Sequence, residues 1–377
     1  MTSGSVMIIA GEASADVHGA GVVRALHRRL PDLACFGVGG SALRGAGVEI
    51  LVDAADLAVV GITEVAAKAR SLADALGRVR RALARRRPDL LVLIDLPDFN
   101  LMVAATARRL GIPVLYYISP QIWAWRSGRI RKVARRVDHM AVILPFEASL
   151  YRRYGVPVTF VGHPLMDAAP PLSDEPAGPA RVGLLPGSRD REIERHLPVM
   201  LDAAARVARQ RPDVRWTVSI APGVAPESIH RIIAEAGRGL TVNTVAGGVR
   251  GILAESTLVV AASGTVTLEA AIAGTPTIIV YKVSALSYLL GRALIRVPFI
   301  GLANLIAESP VVPELIQGQA TGEQIGSHLI ALLENPERRR RMRNALAAVR
   351  RRLGPPGAAE RVADIACRMI AAGPSHR

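Results

Sequence analysis

Short apolar runs recur along this chain, each followed by a small polar loop and then by a longer amphipathic stretch. In the first half they cover residues 6–10, 33–38, 90–94, 114–118, 140–144 and 158–161, and in the second 182–185, 216–220, 258–262 and 277–281. Runs this short and branched suit strands buried on both faces of a parallel sheet, and the alternation with helical stretches predicts an α/β chain with doubly wound sheets. Between the two series, residues 166–180 carry Pro170, Pro171, Pro176 and Pro179 with Ser173 and Gly178, which reads as a linker. A length of 377 residues also exceeds one ordinary core. The expected organisation is a domain over 1–165, a linker over 166–180, a second domain over 181–350, and a C-terminal helix within 351–377. That helix packs either on the second domain or back on the first.

Half of the residues are hydrophobic and 21% are charged, which excludes a disordered chain. Aromatics amount to only 4%, so the cores must be filled by Ala, Val, Leu and Ile. The net charge of +15, nearly all from Arg, reflects either a codon bias or an anionic partner. A nucleic acid is not expected, because no basic-aromatic sheet signature, zinc spacing or basic arm is present. Cys35 and Cys367 lack metal or redox spacing and read as structural thiols in a reducing compartment. No cleavable leader is evident at the N-terminus, and no charge-free run reaches the roughly 20 apolar residues that span a bilayer. A cytoplasmic protein is expected, with a membrane surface still open to it.

Four loops at strand ends carry the chemistry. Two lie in the second half: Leu184-Leu185-Pro186-Gly187-Ser188-Arg189 leading to Glu192, and Ala262-Ser263-Gly264-Thr265-Val266-Thr267-Leu268-Glu269. Each joins a strand to a helix N-terminus through a Gly, so backbone N–H groups and hydroxyls face a ligand, as a diphosphate requires. One such loop alone would read as a capped turn; two in one domain point to a nucleotide. The expected grip is Gly187, Ser188, Arg189, Glu192, Ser263, Gly264, Thr265 and Glu269, with Arg189 on a phosphate oxygen and Glu269 on ribose hydroxyls.

The first half offers Gly11-Glu12-Ala13-Ser14-Ala15-Asp16 and Ile94-Asp95-Leu96-Pro97-Asp98-Phe99-Asn100. Carboxylates there suit sugar hydroxyls or general-base work, not phosphate. For Asp98, spacing alone does not separate a base from a helix N-cap. His18, one turn into a helix, reads as a packed residue; His163, ending the last strand of this half, reads as a substrate contact at a cleft. The segment 57–76 is either a core-facing amphipathic helix, the commoner case, or a surface that dips into a bilayer. The arginines around 338–352 read as a solvated helix face.

These loops together resemble the lipid-A-disaccharide synthase family. The resemblance also rests on Tyr117-Ile118-Ser119-Pro120-Gln121-Ile122-Trp123-Ala124-Trp125-Arg126, Leu144-Pro145-Phe146-Glu147 and Asn304-Leu305-Ile306, and runs in order from about residue 5 to residue 320. Ala15 departs from it, standing where the family usually has Gly. The resemblance implies two Rossmann-like domains facing across a cleft, the GT-B arrangement. It implies transfer of 2,3-diacylglucosamine from UDP-2,3-diacylglucosamine to 2,3-diacylglucosamine 1-phosphate, giving a β-1',6-linked disaccharide 1-phosphate and UDP, with no metal and no cofactor. It further implies a peripheral location on the anionic cytoplasmic face of the inner membrane and is compatible with a homodimer. The residues it nominates are Asp98 as catalytic base, and Glu12, Ser14, Asp16, Trp125, Arg126, His163 and Asn304 for substrate. The other reading of the same loops is a different UDP-sugar enzyme of this fold, such as a soluble glycosyltransferase or a UDP-N-acetylglucosamine 2-epimerase.

Overall fold

The computed structural model describes residues 4–57, 65–123, 127–172, 175–284, 288 and 297–373; the side chains of 65–70 and 127 also lie outside the description. The chain divides into two compact units, residues 1–167 with 353–377, and residues 168–352.

In the first unit the strands are β1 (Ser5–Ala10), β2 (Ala34–Gly39), β3 (Glu49–Asp53), β4 (Leu90–Ile94), β5 (Val114–Tyr117), β6 (His139–Val142) and β7 (Val158–Phe160). The helices between them are α1 (Ala13–Arg29), α2 (Ser41–Gly45), α3 (Val65–Arg86), α4 (Pro97–Arg109), α5 (Ile130–Arg136) and α6 (Glu147–Arg152). The sheet is parallel, in the order β3-β2-β1-β4-β5-β6-β7. Leu90 to Ile94 are all fully buried, as a central strand covered on both faces must be. One apolar layer joins the sheet to α3, α4, α5 and α6 through Val79, Leu83, Phe99, Val103, Val133 and Tyr151. The opposite layer joins it to α1 through Val22 and Leu26.

The second unit holds β8 (Arg181–Leu185), α7 (Asp190–Gln210), β9 (Arg215–Ile220), α8 (Pro226–Ala236), β10 (Val242–Ala246), α9 (Arg250–Glu255), β11 (Leu258–Ala262) and α10 (Thr265–Ala273). It continues through β12 (Thr277–Tyr281), α11 (Leu302–Ala307), β13 (Glu314–Ile316), α12 (Gly322–Leu333) and α13 (Pro336–Arg352). Its sheet is parallel in the order β10-β9-β8-β11-β12-β13.

The last helix, α14 (Ala358–Ala372), returns to the first unit. Val362, Ala363 and Ala366 join the layer beneath α1. Glu360 pairs with Arg28 and Arg29, and Asp364 with Arg29 at 2.7 Å. Arg361 Nε donates to the Val161 carbonyl at 2.8 Å, tying the helix to the end of β7.

The structure places both Ala15 and the described part of the segment 57–76. Ala15 lies inside α1 and is 1% exposed, so no left-handed backbone is asked of it. Of the segment 57–76, Leu57, Leu72, Ala75 and Leu76 pack on the first unit's core and cannot dip into a bilayer. Residues 58–64 lie outside the described residues. Among the described residues no helix is long and apolar enough to cross a membrane.

Candidate active site

In doubly wound sheets the crevice lies beyond the carboxyl ends of the strands where the order reverses. The second sheet reverses between β8 and β11, whose ends lie level, Leu185 beside Ala261. The two loops singled out in this half both leave from there. The first turns through Gly187 at φ 119°, where a Cβ would come within 2.8 Å of Glu192 Oε2. Only glycine fits that turn. Gly264 is different: its backbone is extended, and a Cβ on it would meet no atom within 4 Å. Open space, not conformational freedom, is what it contributes.

Arg189 and Gly264 occupy the N-cap positions of α7 and α10, and neither helix start has a side-chain cap. The Glu192 and Thr267 N–H groups donate to the Arg189 and Gly264 carbonyls at 2.9 and 3.1 Å, which leaves the first two N–H groups of each helix to a ligand. The loops enclose a cavity of about 360 Å³, lined by Gly187, Ser188, Arg189, Glu192, Ser263, Gly264, Thr265 and Glu269, together with Ser219 and Val249 among others. Every residue expected to grip a nucleotide lines this one cavity. Glu192 Oε1 accepts from Arg189 at 2.8 Å and its Oε2 from the Ser188 N–H at 3.4 Å. Burial pushes the Glu269 carboxyl up, with Arg250 pulling it back.

His196, which the sequence did not single out, locks the first of these loops. Its Nε2 accepts from the Lys282 N–H at 2.9 Å, so Nδ1 carries the proton and donates to the Pro186 carbonyl at 3.1 Å. Burial lowers its pKa and keeps the ring in this neutral form. A lone His within a helix gives no sequence signal of such a role.

The first sheet reverses between β1 and β4, with Ala10 beside Ile94. Glu12 and Ser14 are exposed at the start of α1. At the end of β4, Asp95 and Leu96 are both left-handed, with φ 49° and 44°. Each such non-glycine residue costs about 1–3 kcal/mol and persists only where its surroundings hold it. Asn100 Nδ2 and Tyr116 Oη do so, donating to the Asp95 carbonyl at 2.6 and 2.5 Å. The Asp95 carboxyl is half-buried and its pKa is raised, first by burial and then by the charge of Glu12.

Asp98 is the second residue of α4, and Leu96 holds the N-cap position, so the cap alternative is corrected. The Asp98 side chain is 74% exposed and pairs with Arg129. Trp125 and Arg126 lie outside the described residues.

Three of the expected substrate contacts face inward. Asp16 is 5% exposed, and its carboxylate accepts from the N–H groups of Gly40, Ala42 and Leu43 at 2.7, 2.8 and 3.2 Å, capping α2. Gly39 and Gly40 leave room for it: a Cβ on either would come within 3.0 Å of its oxygens. Asn304 is 1% exposed, bonded to the Val312 N–H and carbonyl and to Glu314. His163 is 7% exposed, its Nδ1 accepting from Leu165 N–H at 3.2 Å. The bonds of these three side chains are to their own chain.

Comparison with known proteins decides what these loops belong to. The family model described as lipid-A-disaccharide synthetase matches residues 6–363. A lipid-A-disaccharide synthase from Syntrophus aciditrophicus is 47% identical over 379 residues, spanning 98% of this chain and 99% of the relative. One from Geobacter sulfurreducens is 45% identical over 378 residues, spanning 98% of both.

The chain belongs to the lipid-A-disaccharide synthase family.

Its activity is that of this family, a glycosyl transfer in lipid A biosynthesis. Solved structures agree on the fold. A Neisseria meningitidis UDP-GlcNAc 2-epimerase bound to UDP-GlcNAc has a TM-score of 0.63 at 11% identity, covering 98% of this chain and 100% of that one. Acinetobacter baumannii MurG has a TM-score of 0.59 at 16% identity, covering 97% and 99%. Likeness at such low identity gives the GT-B-like fold and leaves the activity open. The epimerase alternative yields to the family match.

Proposed function

We propose that the chain joins UDP-2,3-diacylglucosamine to 2,3-diacylglucosamine 1-phosphate, with the unit 168–352 gripping UDP and the unit 1–167 taking the acceptor. The cavity between the β8 and β11 loops carries this reading: two helix starts, four hydroxyls and one guanidinium border a space suited to a diphosphate. An α-linked donor giving a β-linkage requires inversion in one displacement. A base removes the proton of the acceptor 6-hydroxyl, its oxygen bonds to the donor anomeric carbon, and the bond to UDP breaks with its electron pair. The loop N–H groups and Arg189 receive the charge that develops on the departing UDP.

Asp98 is the base that the sequence nominates. The local environment supports a second reading, with Asp95 as base and Asp98 held by Arg129. A base works best with its pKa near the operating pH, and burial moves Asp95 in that direction. Asp98 instead gives a lone pair to an arginine. The net charge of +15 supports docking on the anionic cytoplasmic face of the inner membrane.

One incubation tests these points: protein, both lipid substrates and anionic vesicles, read by product mass and by protein recovered with the vesicles. The tetraacyl disaccharide 1-phosphate should form, and vesicle recovery should fall with added salt; salt-independent recovery would remove the electrostatic docking. Asp95→Asn should lower turnover by about 10²–10⁴-fold with UDP affinity intact. Asp98→Asn should cost less than about tenfold on the same scale. The reverse ranking returns the base to Asp98, and full turnover in both variants removes this turn from catalysis.

A further inference from the structure

The loops after β5 and β6 meet in a buried polar layer that neither the UDP grip nor the base accounts for. Its centre is Glu147, which opens α6 and is 1% exposed. Oε1 accepts from the Trp123 indole N–H at 3.1 Å, and Oε2 from the Leu144 backbone N–H at 3.0 Å. The Ser119 hydroxyl donates to the Pro120 carbonyl at 2.9 Å. Ser119 Oγ also lies 2.6 Å from Tyr151 Oη. The Trp123 ring stands edge-on to Phe146, with centroids 5.1 Å apart and planes at 85°.

The carboxylate's partners are an amide and an indole, both neutral. A carboxylate buried among neutral donors is costly, and its pKa is pushed up to about 7 by burial against the pull of those donors. A core that needed only filling would take an apolar side chain there. What the carboxylate does that an apolar group cannot is tie two loops. Ser119 and Trp123 belong to the loop after β5; Leu144 and Glu147 belong to the loop after β6. The tied loop continues the strand beside β4, and Tyr116 of that strand holds the strained Asp95 turn. In sequence, Trp123 lies two residues before Trp125, which with Arg126 is expected to meet substrate.

We propose that Glu147 is a positioning residue for the acceptor sugar: through Trp123 it fixes the loop after β5 beside the Asp95–Asp98 turn. This rests on the reading that the first unit takes the acceptor. Glu147 touches no reacting atom; it sets where the loop that frames them stands. Its loss should therefore weaken acceptor use more than donor use.

The test uses the full chain carrying Glu147→Gln, Trp123→Phe or both, with steady-state kinetics on each lipid substrate and calorimetry with UDP. Each single variant should raise the acceptor KM about tenfold, with donor KM and UDP affinity within about twofold of the parent. The double variant should be no worse than the worse single one, because both remove the same bond. Trp123→Phe keeps the ring on Phe146 and loses only the indole N–H, so it decides the matter even where Glu147→Gln fails to fold. An unchanged acceptor KM in a folded variant overturns the proposal. So does a parallel rise in both KM values, which marks a role in folding alone. Glu12→Gln separates the two levels. If it raises the acceptor KM while the Glu147 and Trp123 variants do not, positioning fails alone; if none of them does, the acceptor reading of the first unit fails as well.

Discussion

The crevice between β1 and β4 and the crevice between β8 and β11 share one topology and differ in chemistry. Between β8 and β11 the polar groups are mostly donors: helix N–H groups, hydroxyls and Arg189, bordering open space. Between β1 and β4 they are mostly acceptors, and several are already engaged. Asp16 caps α2, and the Asp95 turn is held from below by Asn100 and Tyr116. Donors around a cavity suit an anion that comes and goes. Acceptors held rigidly suit hydroxyls that must be oriented and, in one case, deprotonated. The same fold thus carries a donor-lined cavity in one half and a preorganised carboxylate cluster in the other.

The sharpest way to break this contrast is Asp16→Ala. If Asp16 belongs to the scaffold, its loss strands three N–H groups at the start of α2, one buried and two part-buried. The expected cost is about 3–4 kcal/mol of stability, from the usual penalty of unsatisfied buried groups bonded to a charge. Denaturant unfolding should register this as early melting of the first unit, with UDP affinity in the second unit unchanged. A loss under about 1 kcal/mol with impaired acceptor use would return Asp16 to the substrate.

The contrast also explains which features the sequence made legible. The central strands of both sheets are continuous apolar runs, and these were readable because burial on both faces leaves little room for polar residues. The unread strands, β3, β10 and β13, are all at sheet edges. Glu49, Asn243 and Glu314 break their patterns, as solvent on one side permits. At the UDP side, every expected residue lines the cavity, because Gly, Ser and Arg at a strand-to-helix junction encode the chemistry locally. The acceptor side was less legible. Asp16 there, and Asn304 in the second unit, have the residue types of ligand contacts, yet Asp16 bonds backbone groups 24 to 27 residues away and Asn304 bonds the Val312 backbone and the Glu314 carboxylate 8 to 10 residues away, which no local pattern announces. Asp95 lies three residues from Asp98 in one motif. Its distinction is the left-handed turn and its burial, both set by Asn100 and Tyr116.

A pH titration adds a smaller effect on the first unit. Burial, aided by His18, lowers the pKa of His163 to about 4. An unfolded histidine titrates near 6.5. Between these values the unfolded chain binds a proton that the folded one refuses, so stability falls as pH drops from about 6.5 to about 4. The full loss is about 3 kcal/mol, and above pH 7 the group contributes no slope. His163→Gln should flatten this limb relative to the parent in unfolding measured across that range. Equal slopes would mean that His163 titrates normally and is open to solvent.

The smallest effect tests the donor side. The Arg189 side chain is 80% exposed and already paired with Glu192 at 2.8 Å, so a diphosphate must compete with a carboxylate for it. Exposed pairs contribute little, and salt screens them further. Arg189→Ala should therefore weaken UDP only about tenfold, near 1.4 kcal/mol, with most of the affinity left to the backbone donors. Part of that loss is the bare charge of Glu192 facing the phosphates. Adding Glu192→Gln to Arg189→Ala should recover affinity, because it removes the repulsion without restoring the guanidinium. Calorimetry at two salt concentrations separates these contributions. Equal UDP affinity in parent and Arg189→Ala would take the arginine out of the grip and leave the anion to the two helix starts alone.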